Sequence, residues 1–463
     1  MNTRETRECA AYWETACQFF RSSGYAESNG SYFIHNKNNR TVKIGIMCQS
    51  KMYDGDSTLS YIKEEKVAVD IPQLENNIFK RAKNILDVNA PYFFIASPDV
   101  NRRFVDESLP KVLFVQPDIE FTFSDLESHG QISYARDAGS KKQGRLMLRE
   151  FAEKSVTYQT EYCGKPMQFS EMAASWTPVE EDDNFLKRLD SAISSLQDFP
   201  NGKITLTRAY EYPVPRRYNP FQLYELHARL NGEYACSHYI CILEDVFSLG
   251  CSPENVFEIR EDKLVVDVVA ATCRATTSDE YLARELRNDP KQIKEHKMSL
   301  NRRVSRFSPF CKGGVVKIIR EMQVKRLRNV CHLHSVINGE LLPDITIFDL
   351  LGNISFPLLG TYPKELVPVA DAELDPHRYY GGIIGHAHSK SGGCFLNIRN
   401  ALLKHNVIHA KVGVGLVKES VAERELLETR DKIFGLMEAI HLWKQHVARN
   451  KKSTGSVVWR QIC

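Results

Sequence analysis

The sequence predicts an α+β fold with large antiparallel sheets. Three observations carry that expectation. Short apolar runs of strand length follow one another between residues 239 and 270, separated only by turns. Long stretches with helical spacing interrupt such runs instead of alternating with them one for one, which disfavours a doubly wound parallel sheet. No segment recurs at a fixed period, so a repeat architecture is not expected.

Glu8 to Phe20 has helical spacing and is predicted as a surface helix. Ser31–Ile34 and Thr41–Cys48 read as strands around the turn-forming Asn36–Asn39. Pro91–Ala96 and Lys111–Val115 are apolar runs of strand length. Ser124–Gly144 is polar and rich in Gly and Ser, and is predicted as loop. Asp182–Asp198 is an amphipathic helix with Phe185, Leu189, Ile193 and Leu196 on one face. Lys203–Tyr210 is a strand and Pro220–Arg229 a helix. Tyr239–Leu243, Phe247–Leu249, Val256–Ile259 and the Val-rich Leu264–Ala270 read as successive strands. Tyr281–Phe307 is one long charged helix, Leu396–Arg399 and Ile408–Val414 are strands, and Val421–Trp443 is a second long helix. Before about Asp182 no motif carries interpretable chemistry. The chain is therefore divided into a divergent stretch 1–181, a functional region 182–446 and a tail 447–463.

Composition narrows the function classes. Of 463 residues, 43% are apolar and 26% charged, which suits a globular chain with a sizeable core. A net charge of +3 and the absence of a basic arm give no reason to expect nucleic acid as a partner. The short basic run Arg449–Lys452 reads as a solvated terminus. Twelve cysteines are scattered without a C-x-x-C pair, so buried thiols in a reducing, cytoplasmic compartment are expected. Met1–Cys17 lacks an apolar signal-peptide core, and no run of about 18 apolar residues suggests a membrane span.

Chemistry is concentrated on two helices. Ser420 and Glu423 have capping-box spacing, which predicts a helix start near Val421. Glu425 and Glu428 then lie i, i+3 apart, with Lys432 four residues on, so the three share a face. Alone, that face reads first as a solvated salt-bridge ladder. A second helix carries Gln292, Glu295 and His296 in "DPKQIKEH". Two helices offering oxygen ligands at this spacing suit a hard cation such as Mg²⁺, and neither has Cys/His spacing for zinc. "KVGVGLVKES" places Gly413 and Gly415 on a strand end feeding the acidic helix, where bare backbone admits an anion or merely tight packing. Tyr380 stands beside Gly381 and Gly382. Arg399, in an apolar run, needs an anionic partner, from the protein or from a substrate. His332 and His334 alternate in "VCHLHS"; one reads as a satisfied core histidine and the other as a group that orients a ring substituent. Lys203 opens "KITLTR", where burial would make it a general base and an edge position merely a surface lysine. Glu254 follows a Ser-Pro turn and is a candidate general acid.

The order of these segments is more specific than any one of them. "SPENVFEI", "VAATCRA", "DPKQIKEH", "VCHLHSVINGEL", "YPKELV", "PHRYYGGIIG", "NIRNA" and "VGVGLVKESVAERELLETRDK" resemble, in order, the motifs of the chorismate-utilising enzymes. The resemblance covers roughly Asp182 to Leu436. It implies two large, mostly antiparallel sheets packed as a sandwich with outer helices, the fold of anthranilate synthase component I. It implies Mg²⁺ as cofactor, bound by Glu295 and Glu428 and supported through water by Glu425, with Gln292 at the family's other metal-helix carboxylate. It implies Glu254 as the acid that protonates the departing ring hydroxyl, and Tyr380, Arg399 and the backbone at Gly413 as holders of the substrate carboxylates. His332 and Lys432 match further site residues, and Ala271, Thr272 and Gly415 fall in the substrate-binding segments. Lys203 matches the lysine with which water-adding members activate water, where amine-adding members carry Gln. Ala270 stands where aminodeoxychorismate synthases carry a nucleophilic lysine, and no amidotransferase segment is read. The nearest subclass is therefore the salicylate synthases, making isochorismate and then eliminating pyruvate, which implies a role in secondary metabolism such as siderophore biosynthesis. The implied partner is a small molecule, chorismate or a close relative, on a monomer or homodimer.

Three departures from the family pattern bear on the pocket. A-G-T-R is Ala270-Ala271-Thr272-Cys273 here, the second metal-helix Glu is Gln292, and the Leu358–Lys364 loop is about two residues short. These changes imply an altered substrate, an altered product or lost activity around an inherited metal site. Amine addition to an anthranilate-type product is the alternative chemistry.

Overall fold

A computed structural model describes residues 3–453 except 54–57, 63–64, 70–77, 88, 99–108, 128, 154–175, 215–218, 261, 275–277, 328–329, 355–358, 372–378 and 389–390. Helix α1 (Thr3–Ser22) leads into β1 (Tyr32–Asn36) and β2 (Thr41–Ile46), paired antiparallel around the Asn-rich turn. There follow β3 (Gln49–Tyr53), β4 (Thr58–Ile62), β5 (Glu65–Val69), α2 (Ile78–Ile85), β6 (Pro91–Ala96), β7 (Val112–Gln116), β8 (Ile119–Ser124), β9 (Gln131–Ala135) and α3 (Ala138–Glu153). The second stretch begins with β10 (Thr177–Pro178), α4 (Asp182–Ser195), β11 (Ile204–Pro213), α5 (Pro220–Leu230), β12 (Cys236–Leu243), β13 (Val246–Ser252), β14 (Asn255–Arg260) and β15 (Lys263–Arg274). Helices α6 (Asp279–Asn288) and α7 (Pro290–Phe307) precede the hairpin of β16 (Lys317–Arg326) and β17 (Val330–Glu340). The chain continues through α8 (Ile347–Gly352), α9 (Val367–Asp371), β18 (Ile383–His388), β19 (Ser391–Leu396), β20 (Asn400–Lys404), β21 (Val407–Leu416) and α10 (Ala422–Ser453).

Among the described residues these strands form two sheets. Ten run in the order β10-β11-β21-β20-β13-β12-β1-β2-β8-β9, and eleven in the order β16-β17-β15-β14-β19-β18-β6-β7-β3-β4-β5. Adjacent strands are antiparallel throughout. Strands from before and after Asp182 share both sheets.

The sheets face each other across an apolar layer in which Tyr32 and Ile240 of the first sheet meet Phe93 and Ile384 of the second. The rings of Tyr32 and Phe93 stack at 5.2 Å. Outside the first sheet, α1, α5 and α10 cover Phe33, Tyr239 and Ala410 with Phe20, Phe221 and Trp443. Outside the second, α2, α7 and α8 lay Phe79, Leu300, Phe307 and Phe348 over Phe257, Val266 and Phe114. Each such side chain, fully buried, contributes about 1.5–3 kcal/mol from apolar transfer. Both faces of the inner strands are covered, so β12 and β13 are buried almost without a break and do not alternate between buried and exposed.

Several sequence expectations need correction. Residues 124–144 are not loop: β9 is an edge strand and α3 begins at Ala138. β9 is mostly half-exposed, so it lacks an apolar signature. The helix expected over Tyr281–Phe307 is two. Asp289 caps the second by accepting from the N–H groups of Lys291 and Gln292, and Pro290 occupies its first turn. Proline fits there because the first-turn N–H groups have no intrahelical partner. Arg399 is not on a strand: it lies in the connection between β19 and β20 with φ +54. Ser420 does not cap the last helix. Its Oγ accepts from the Val417 N–H, while the Glu425 N–H bonds the carbonyl of Val421 and the helix opens at Ala422. That helix runs to Ser453, past the expected boundary at 446; residues 454–463 of the expected tail lie outside the described residues.

Candidate active site

A cleft of about 640 Å³ opens between the two sheets, and ten of the sequence-predicted catalytic and substrate residues line it. Lys203, just ahead of β11, and Gly413 and Gly415 of β21 come from the first sheet. Glu254, just ahead of β14, Ala271 and Thr272 of β15, and His332 of β17 come from the second. Arg399 and Tyr380 enter from connections, and Lys432 from α10.

Lys203 is fixed at both ends. Its backbone exchanges two hydrogen bonds of 2.7 Å with Tyr362, and its Nζ lies 3.2 Å from Oε1 of Glu295. It is thus a lysine in an ion pair, not one left alone in an apolar strand. Gly415 makes this possible: a Cβ there would stand 2.7 Å from Glu295 Oε1 and 2.9 Å from Lys203 Cε. Gly413 leaves room for the Tyr380 hydroxyl, 3.1 Å from where a Cβ would be, and its carbonyl accepts from Lys432 Nζ at 2.8 Å. Both glycines lie within β21, ahead of the helix start, where their bare backbone permits close approach of these side chains.

Glu254 is buried, and its Oε1 accepts from Arg303 Nη2 at 3.0 Å. Burial pushes its carboxyl above the usual range despite that guanidinium, which suits a proton donor. His332 is buried and held neutral, first by desolvation and then by Arg399 and Lys432. Its Nδ1 pairs with Thr272 Oγ1 at 3.0 Å, while its Nε2 has no partner among the described residues. His334 is paired with Asp267 at 2.9 Å and is the satisfied member of the two. Arg399 donates to the carbonyl of Lys432 at 3.2 Å, and no carboxylate among the described residues pairs with it. A desolvated guanidinium without a counter-ion is a receptor for an anion.

The acidic residues straddle two cavities. Glu295 lines the main cleft, while Gln292, Glu425 and Glu428 line an adjoining one of about 690 Å³. Lysines hold them in place. Lys291 reaches Glu295 at 3.6 Å and Glu425 at 3.2 Å, and Lys432 reaches Glu428 at 2.6 Å. Burial alone would raise Glu295, but Lys203, Lys291 and Lys432 together bring it down to about 2. Glu425 goes the other way, up to about 7, through burial and the nearby Glu428. Its Oε2 is buried with no partner. Among the described residues no three His, Cys, Asp or Glu side chains stand as a ready-made metal cluster. The donors nonetheless fit a hard cation in kind: three carboxylates, one with an orphaned oxygen, two of them sharing an ammonium. Gln292 is the exception. Its amide accepts from the Thr272 N–H at 2.9 Å and donates to the Thr272 carbonyl at 3.1 Å, so it latches a strand instead of facing the carboxylates.

The sequence profile described as chorismate binding enzyme matches residues 26–438, most of the chain. The chain belongs to this family. The anthranilate synthase component 1 of Lactococcus lactis is 30% identical over 229 residues, 48% of this chain and 49% of that protein. The match thus spans about half the length of that relative. Two solved structures share the fold. Anthranilate synthase component I from Streptococcus pneumoniae superposes with a TM-score of 0.66 at 17% identity, covering 86% of this chain and 92% of that one. The menaquinone-specific isochorismate synthase of Escherichia coli gives 0.64 at 15%, covering 90% of each.

The family's departures now have positions. Ala271 takes φ +67 at a bulge where the pairing of β15 with β17 slips by one residue, a backbone conformation that favours glycine. Its methyl packs with Leu286, Cys331 and Leu333. Cys273 is a thiol pushed up to about 12 by burial and Cys331, hence uncharged. In the shortened loop, Leu359 to Tyr362 line or flank the cleft; Leu358 lies outside the described residues, as do Asp375 to Arg378 of the glycine-rich segment. Sequence reasoning missed Lys291 and Arg303. The i, i+4 spacing of Lys291 and Glu295 was a usable signal for the first; nothing local points from Arg303 to Glu254.

Proposed function

We propose that this chain acts on chorismate, or a ring dicarboxylate closely related to it, by acid–base chemistry between Lys203 and Glu254. The observation that carries this reading is that the two sheets deliver these two residues into one cleft that also holds the carboxylate-free Arg399. Glu254, with its carboxyl raised by burial, protonates the departing ring hydroxyl. Lys203 directs water to the ring, giving isochorismate, and pyruvate elimination would then give salicylate. Arg399, Tyr380 and Lys432 hold the substrate carboxylates, and the neutral His332 presents its free Nε2 to the ring. Glu295 and Glu428 would hold Mg²⁺, with Glu425 supporting it through water. When bound, the ion anchors the ring carboxylate and draws off its charge. A cytoplasmic setting belongs to the same reading: the nine cysteines of the described residues are all unpaired, and no described helix is long and apolar enough to cross a membrane.

A second reading is amine addition, favoured by the relative at 30% identity being an anthranilate synthase component 1. Lys203 weighs against it, since amine-adding members carry Gln there. Purified chain incubated with chorismate and Mg²⁺, with products separated by chromatography, tests both. Isochorismate or salicylate with pyruvate supports water addition; anthranilate appearing only with ammonium supports the second reading. A folded protein that makes none of these over hours overturns both and leaves a divergent member that binds without turnover.

A further inference from the structure

The wall of the cleft carries more positive charge than two substrate carboxylates require. On α7, Glu295, Ser299, Arg302 and Arg306 follow one another at steps of four, three and four, so they share a face, and all four line the cleft. Arg303 joins them, nearly buried at 11% side-chain exposure. Its Nη2 holds Glu254, while its Nη1 is buried with no partner. Neither Arg302 nor Arg306 has a carboxylate partner among the described residues. The repulsion is visible in Arg306, brought down to about 10 first by burial and then by Arg303 and Arg302. Among the described residues the only acids on the cleft wall, Glu254 and Glu295, are held by Arg303 and Lys203.

Known terms cover only part of this charge. The C-terminal end of α7 lies at Phe307, and a helix C-terminus is equivalent to roughly −0.5 charge. Glu254, as the proton donor, adds no fixed charge, so against the +3 of the three arginines this leaves roughly +2.5 without a counter-charge. A third carboxylate would leave part of it. A phosphate monoester, at about −1.5 to −2 near neutral pH, covers most of it, and clustered guanidinium groups are suited to phosphate oxygens.

We propose that the ligand of this cleft carries, besides its two carboxylates, a phosphate monoester seated on Arg302, Arg303 and Arg306. This rests on the reading of the cleft as a site for a chorismate-like ring dicarboxylate and sharpens its substrate class. The inner end, with Arg399 and Lys432, takes carboxylates. The outer end, where Arg302 lies near the exposed Tyr362, takes the phosphate. Arg303 joins the two functions, since the residue whose guanidinium holds Glu254 also lines the cleft next to Arg302.

Calorimetric titration of the full chain in Mg²⁺ buffer, with chorismate and with 5-enolpyruvylshikimate 3-phosphate as probes, tests this. The second probe has a ring carboxylate, an enolpyruvyl carboxylate and a phosphate monoester. The phosphate-bearing probe is expected to bind at least tenfold more tightly. That preference should fall to about twofold or less in Arg302→Gln/Arg306→Gln and largely persist in Arg302→Lys/Arg306→Lys, with circular dichroism confirming that each variant is folded. Chorismate binding without a phosphate preference, or a preference that survives the Gln pair, overturns this inference alone. Binding of the phosphate probe only, lost in the Gln pair, upholds it and overturns the assignment of chorismate itself. Binding of neither probe to folded protein overturns the inference and the functional reading together.

Discussion

Glu425→Gln is the most direct test of the buried carboxylate cluster. The substitution keeps the side chain's shape and removes its charge. In the folded chain this carboxyl is pushed from an ordinary 4.5 up to about 7. The difference of about 2.5 pH units, at 1.36 kcal/mol each, corresponds to about 3 kcal/mol. Between those two values the folded chain keeps a proton that the unfolded chain has released. Stability contributed at this position therefore falls as pH rises from 4.5 to 7, and the full deficit is present above 7. Glutamine has no proton to lose, so the variant should match the parent near pH 4 and exceed it by up to about 3 kcal/mol at pH 8. Unfolding entropy of about 2.1 cal/mol/K per residue gives about 1 kcal/mol/K for the whole chain, so the midpoint should rise by about 3 °C. Thermal melts of both proteins across pH 4–8, without added metal, measure it. A lower midpoint for the variant at pH 8, or a difference that does not grow with pH, would refute the reasoning.

Three further substitutions probe the cleft. Lys203→Gln should lower formation of the water-addition product by about 10²–10⁴-fold, read by chromatography, and undiminished product would remove Lys203 from the chemistry. Arg399→Ala should raise KM for the ring dicarboxylate by about 10- to 100-fold, since a charge-assisted contact is worth about 1.5–3 kcal/mol; steady-state kinetics at fixed Mg²⁺ decide it. Ala271→Gly relieves a left-handed backbone costing about 1–2 kcal/mol and loses a buried methyl worth about 0.8 kcal/mol. Its urea midpoint should rise by the equivalent of up to about 1 kcal/mol, and a fall would mean that the methyl's packing dominates.

Much of the site was legible because its chemistry is ordered along the chain. Glu425 and Glu428 at i, i+3, and the segments around Lys203, Glu254 and Arg399, identify themselves by type and succession. What they do not identify is who meets whom. Lys291 pairs with Glu425 from another helix, 134 positions away, and no local spacing encodes that contact. Arg399 reads as a strand residue because it sits in an apolar run, whereas a positive φ leaves no trace in composition. The same limit applies to the helix over 281–307. Charged residues keep helical spacing across the break, and only Asp289-Pro290 marks it. β9 escaped because an exposed edge strand needs no apolar face.

The balance of charge in the cluster leads to one further expectation. Above about pH 7, where Glu425 is ionised, Lys203, Lys291 and Lys432 stand against Glu295, Glu425 and Glu428, three cations to three acids: Lys203 pairs with Glu295, Lys291 bridges Glu295 and Glu425, and Lys432 pairs with Glu428. A divalent cation entering alone must displace or repel buried ammonium groups. A dicarboxylate entering alone meets lysines already paired. Together they add no net charge, so each should make room for the other. Mg²⁺ and the ring dicarboxylate are therefore expected to bind with positive coupling, and linkage requires the factor to be the same in both directions. A coupling of about 1–3 kcal/mol gives roughly 5- to 150-fold. Titrating Mg²⁺ with and without a saturating, non-reacting ring analogue of chorismate, and then the reverse, measures the factor twice. Equal Mg²⁺ affinity in both titrations would mean that the lysines do not have to move, and that the ion and the dicarboxylate occupy electrically separate places.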